Sequence, residues 1–249
     1  MLKKLYDRNE VTFAIFWIVL YCVLTVPVRG QYGDESPLGT VILAAIAAGL
    51  FLFIRKYHLE EKYGLTSWPR RGRTFLYFIP LWIFATGNLW GGFDMAYSGY
   101  HQLCAVLSMA MIGYIEEVIF RGFLFRGMLP RDGVKVSVIV SAVTFGAGHI
   151  VNLFAGQTSP ETILQIVFAI AAGFLFTMVF YKSGSLFPCI IAHSLVDVFS
   201  KMGKENDAAQ HIYIIVTIIM SCLYCIYLAK LKSDAFSTGI FSGKNGSVM

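Results

Sequence analysis

Glu116 and Glu117 are adjacent acids followed, four residues on, by Arg121, all inside an apolar stretch running from about Leu103 to Leu129. An ionised side chain near the middle of a bilayer costs about 3 kcal/mol on the gentler insertion scales, so these three need partners, a water-filled cavity or a catalytic role. Three further ionisable groups fall in apolar stretches: His149, His193 and Asp197. His58, His101 and His211 lie in a loop or at the ends of such stretches, where a histidine is ordinary.

Helical geometry divides the set. Residues four apart share a face, whereas adjacent residues point about 100° apart. Glu117 and Arg121 can therefore pair within one helix, which lowers the cost of burying both. Glu116 faces elsewhere and is free to act as a general base. His193 and Asp197 are also four apart, so Asp197 can accept from one imidazole nitrogen and orient the other. His149 closes Phe145-Gly-Ala-Gly-His149, whose two glycines let a helix or a substrate approach closely. Together these groups can activate water against a peptide carbonyl.

The elements that must carry them are membrane helices. The 249 residues are 57% hydrophobic, with mean hydropathy +0.65, against about 45 to 50% apolar in soluble domains. Apolar runs at 11–28, 38–54, 74–92, 101–128, 134–154, 162–181, 185–200 and 211–229 predict an all-α polytopic membrane bundle of about eight transmembrane helices. With the N-terminus inside, sixteen of the twenty Lys and Arg fall on the cytoplasmic side. Arg29, Lys201 and Lys204 lie outside and Arg121 within a span, which predicts cytoplasmic N- and C-termini. The expected organisation is residues 1–100 as three N-terminal helices with a cytoplasmic loop at 55–73, residues 101–200 as a catalytic core, and 201–249 as a last helix with a mobile tail. The formal charge of +5 does not imply nucleic acid; Pro69-Arg70-Arg71-Gly72-Arg73 suits anionic lipid headgroups. The cysteines read as apolar fillers, and Cys222-Leu-Tyr-Cys225 lacks the second pair a metal site needs.

A hairpin turning near Arg131 and Asp132 puts Glu116 and His149 about 22 and 26 Å from the turn, at similar depth. His193, counted from Lys182, reaches only about 16 Å, so its helix must start deeper, after a loop entering the membrane near Gly184 to Pro188.

Glu116-Glu117-Val-Ile-Phe-Arg121, Phe145 to His149 and His193 to Asp197 resemble, in order, the EExxxR, FxxxH and HxxxN/D motifs of the CAAX-protease and bacteriocin-processing (CPBP, or Abi) family of intramembrane proteases. The resemblance covers roughly residues 103 to 200. It implies that Glu116 and His149 activate water, that His193 and Asp197 stabilise the oxyanion, and that Glu117 and Arg121 support the site. Eukaryotic CAAX-processing members carry Asn where this chain has Asp197, and an ionised Asp cannot donate to an oxyanion. A metalloprotease version stays open, with zinc on Glu116, His149 and His193 and Glu117 as base. The implied substrate is a membrane-associated or lipidated peptide, including bacteriocin leaders, and short loops suit a prokaryotic plasma membrane. The competing readings are a proton-coupled transporter, against which no paired broken helices appear in two halves, and a non-catalytic immunity or binding protein in which the polar set only joins helices.

Overall fold

The structure, a computed structural model, describes residues 2–69 and 71–231. The expected mobile tail from Ser233, together with Arg70, Lys232 and Lys244, lies outside the described residues. Helices α1 (Leu2–Arg8), α2 (Glu10–Tyr32) and α3 (Pro37–Lys56) come first. Asn9 caps α2 by accepting from the Thr12 amide at 3.0 Å, and Gly33, at φ +79°, ends it. Ser36 caps α3, and Pro37 at its first position costs no hydrogen bond.

Between α3 and the site-bearing helices the chain is broken. Gly72–Phe78 is a 3-10 stretch in which Leu76, Tyr77 and Phe78 adopt left-handed backbone at φ +51°, +52° and +59°. The eight-residue α4 (Ile79–Thr86) and a 3-10 turn, Gly87–Leu89, follow. The sequence predicts one span at 74–92; the left-handed residues break it.

Helix α5 (Gly99–Glu117) runs through a π-helical stretch, Val118–Phe125, into α6 (Arg126–Gly148). Gly133, at φ +74°, folds α6 back behind Pro130. The Ser141 hydroxyl donates to the Phe120 carbonyl at 3.0 Å across this hairpin, so its centre falls between Pro130 and Arg131, beside the expected turn. Glu116 then stands level with Phe145, one helical turn from His149. A 3-10 segment, His149–Ala155, leads to α7 (Ser159–Ser183), α8 (Phe187–Ser200) and α9 (Asp207–Lys230).

Among the described residues, five helical stretches are long and apolar enough to cross a membrane: Glu10–Tyr32, Pro37–Lys56, Gly99–Ala155, Ser159–Ser183 and Asp207–Lys230. The third is the hairpin and contributes two legs. Helix α8, at 14 residues, reaches only about 21 Å against a hydrocarbon core of about 30 Å. Its start is deep. The Phe125 ring meets Phe180 and Tyr181 at 6.1 and 6.2 Å, so the end of α7 is level with a residue six before Arg131, about 9 Å along the helix from the hairpin turn. The loop after α3 follows it inward: Tyr63 is buried with its ring 5.1 Å from Phe123, and the Gly64 carbonyl accepts from the Leu186 amide at 2.9 Å. This inset turn supplies the depth that counting from Lys182 leaves short.

Candidate functional site

Every residue of the π-helical stretch is buried, and Phe13, Phe53 and Tyr63 pack around its Phe123. A π turn re-aims the residues beside it relative to an α-helix. Here it directs Arg121 inward with no solvent exposure. Arg121 Nη1 donates to Glu117 Oε1 at 2.8 Å, as the spacing of four predicts. The guanidinium carbon lies 4.2 Å from the Phe145 ring centroid and 5.4 Å from that of Phe176, so two aromatic faces replace the water it lost.

Helices α5 and α8 approach closely because Gly113 has no side chain: a Cβ there would stand 2.5 Å from the Ser194 amide nitrogen. The Ser194 hydroxyl donates to the Ala110 carbonyl at 2.9 Å and fixes the register. His193 is thereby brought against the glutamate pair. Its Nδ1 lies 2.8 Å from Glu117 Oε1, its Nε2 3.7 Å from Glu116 Oε2 and 3.6 Å from Asp197 Oδ2, and its ring stacks on Phe176 at 5.5 Å.

One sequence expectation changes here. Asp197 shares a face with His193 but sits beyond hydrogen-bond range of its Nε2. Glu117 orients the imidazole instead, taking both Arg121 and His193 on one oxygen. The intrahelical spacing of four makes the Asp197 contact available; the shorter cross-helix contact wins it.

Phe145 is the shared wall, its ring 5.3 Å from the His149 ring and 5.5 Å from that of His193. His149 Nδ1 stands 3.1 Å from the Phe145 carbonyl. A carbonyl only accepts, so this nitrogen carries the proton, and in the neutral ring Nε2 is the acceptor. The two glycines before His149 differ: a Cβ on Gly146 would lie 2.3 Å from the Ile170 side chain, whereas Gly148 has nothing within 4 Å. Gly146 admits α7; Gly148 faces open space.

All six expected residues, Glu116, Glu117, Arg121, His149, His193 and Asp197, thus surround one region. Glu116, unlike its neighbour, is slightly open, its side chain 13% exposed against none for Glu117. It also has a partner the sequence does not announce: the Tyr21 hydroxyl donates to Glu116 Oε1 at 2.9 Å. Further along α2, Arg29 donates to Asp34 Oδ1 at 2.6 Å and reaches Asn152 Oδ1 at 3.5 Å, and Lys201 donates to Asp34 Oδ2 at 2.6 Å. The only sequence sign of Tyr21 is its place four residues after Trp17 and four before Thr25, on the face that also holds Phe13.

Zinc on Glu116, His149 and His193 requires all three to converge on one ion. Among the described residues, no three His, Cys, Asp or Glu groups are gathered closely enough to share one. The donor set as arranged does not fit a three-ligand site.

Residues 98–199 match the family model described as Rce1-like, type II CAAX prenyl endopeptidase. Comparison with curated proteins and with solved structures gives no match. The matched segment holds all six site residues, while Tyr21, Arg29 and Asp34 lie outside it.

Proposed function

From a segment, 98–199, that is Rce1-like, we propose that this integral membrane protein is an endopeptidase acting within the bilayer on a membrane-associated peptide. The observation that carries the reading is the approach of Glu116 Oε2, at 3.7 Å, and Asp197 Oδ2, at 3.6 Å, to His193 Nε2. Those separations are too long for direct hydrogen bonds and invite a bridging oxygen.

In the proposed reaction Glu116 takes a proton from water as the oxygen attacks the scissile carbonyl, and His149 Nε2 accepts from the same water. The carbonyl carbon becomes tetrahedral and its oxygen carries the negative charge. His193 in its imidazolium form donates from both nitrogens, through Nδ1 to Glu117 and through Nε2 to the oxyanion. Collapse breaks the C–N bond, and Glu116 returns its proton to the departing amine. Asp197, as a carboxylate, serves the imidazolium and not the oxyanion.

We further propose eight membrane crossings with cytoplasmic termini, supported by the distribution of Lys and Arg. The same proposal includes a catalytic core at 101–200, a prokaryotic plasma membrane, and lipidated peptides or bacteriocin leaders as substrates. The test is cleavage of a farnesylated C-terminal peptide by purified protein in lipid vesicles, with metal content measured on the same preparation. Glu116→Ala, His149→Ala and His193→Ala should each abolish cleavage while the protein still inserts and remains folded. Equal cleavage by Glu116→Ala and wild type would overturn the assignment.

A further inference from the structure

We propose that Tyr21, from outside the Rce1-like segment, is the positioning residue for Glu116; the inference rests on the peptidase reading for its kinetic consequence but not for its geometry. Helix α2 packs antiparallel along the helix that carries the glutamates. Phe13 meets Phe123 with ring centroids 5.0 Å apart. Tyr21, eight residues later on α2, meets Glu116, seven residues earlier on the facing helix. The two contacts advance by nearly equal lengths, about 12 and 10.5 Å, so the pairing follows from helix register and not from a chance rotamer. Within α2 the Thr25 hydroxyl donates to the Tyr21 backbone carbonyl at 2.7 Å.

A carboxylate in a helix can turn about its last two torsions, and a general base with two equivalent oxygens must present the right one. The Tyr21 hydroxyl occupies Oε1. That leaves Oε2 toward His193 Nε2, the edge where the attacking oxygen is required. Among the described residues, no other group takes this place. The nearest cation on the same helix, Arg29, is engaged by Asp34, Arg121 and the His193 Nδ1 are engaged by Glu117, and His149 Nδ1 faces the Phe145 carbonyl. Asp197 has no donor to offer as a carboxylate. Cys22, the next residue on α2, shows no hydrogen bond to Glu116. The division of labour in the pair is therefore enforced by two different partners: Arg121 and His193 for Glu117, Tyr21 for Glu116.

The expected effect is on turnover and not on substrate affinity. Tyr21→Phe should lower kcat by about ten- to a hundredfold, the range for a hydrogen bond to a charged group, and leave KM within about twofold. Tyr32→Phe, at an exposed tyrosine of the same helix, should change neither. In a Glu116→Asp background, where the shorter side chain no longer reaches the hydroxyl, Tyr21→Phe should cost less than about threefold more. An equal fold-loss in both backgrounds, or a rise in KM at constant kcat, overturns the positioning role. A second cycle reads the bond without activity: the melting-temperature losses of Tyr21→Phe and Glu116→Ala should be strongly non-additive, because either change breaks the same contact. Additive losses overturn the proposal even if cleavage occurs. A non-additive cycle, with a wild-type protein that cleaves no membrane-associated peptide, instead sinks the peptidase reading and leaves the Tyr21–Glu116 bond standing.

Discussion

Two carboxylates in this protein each gather two basic partners, and they do so in opposite surroundings. Glu117 receives Arg121 and His193 on a single oxygen, at 2.8 Å from each, with no exposure of Glu117 or Arg121. Asp34, in the turn between α2 and α3, receives Arg29 and Lys201 on separate oxygens at 2.6 Å, with 16% of its side chain exposed and 32% and 19% of theirs. In the buried group, Glu117 Oε2 and Arg121 Nε and Nη2 have no hydrogen-bond partner among the described residues. The outer group can use water. The buried arrangement accepts unsatisfied groups, which ordinary stability would select against, and in return fixes the ring of His193. The outer arrangement ties the α2–α3 turn to the end of α8 and carries no such penalty.

Removing a partner should therefore have unequal consequences. Arg121→Ala leaves Glu117 buried with its strongest neutralising partner gone, and a loss of about 3 to 5 kcal/mol is expected, read as a large fall in melting temperature of the purified protein. An unchanged melting temperature with reduced cleavage would make Arg121 a participant in chemistry and erase the contrast. Replacing both members sharpens it. The pair Glu117→Leu with Arg121→Met should recover most of that stability, since an apolar pair of similar volume fills the space without a charge to bury. The same protein should have lost turnover, because His193 Nδ1 has no acceptor left to set its ring. Activity returning together with stability would show that Glu117 does not orient the imidazole.

The two regions also differ in how far the sequence disclosed them. Glu117–Arg121 is legible because a spacing of four on a helix is a contact, and EExxxR, FxxxH and HxxxD mark helices that the fold then joins. The hairpin was legible as well, since Pro130 and Gly133 flank Arg131 and Asp132 between two apolar runs. The pairing of His193 with Glu117 and not with Asp197 was hidden, because it depends on how closely α5 and α8 approach at Gly113, a distance no local pattern encodes. Tyr21 and Glu116 are 95 residues apart, and a tyrosine among Trp17, Tyr21 and Thr25 reads as one more helix face. The break at Leu76–Phe78 was hidden for the opposite reason: its residues are apolar enough to read as a span, and left-handed backbone at three non-glycine positions has no sequence signature.

The outer group should give the smaller and more graded response. Lys201→Gln is expected to cost at most about 1 kcal/mol, the ordinary worth of a partly exposed pair, with cleavage preserved; a loss as large as that of Arg121→Ala would make the two regions equivalent. Its pH response has a definite sign. Burial by itself raises the Asp34 carboxyl, but Arg29 and Lys201 outweigh it and hold the group below the usual carboxylate range. A group depressed in the folded state contributes stability that is fully present above the unfolded value, about 3.9, and is lost as pH falls through the lower folded value. Melting temperature should therefore decline more steeply below about pH 4 in wild type than in Asp34→Asn. Superimposable acid limbs would mean that the two cations hold Asp34 in place without stabilising its charge, and the outer region would then be a tether only.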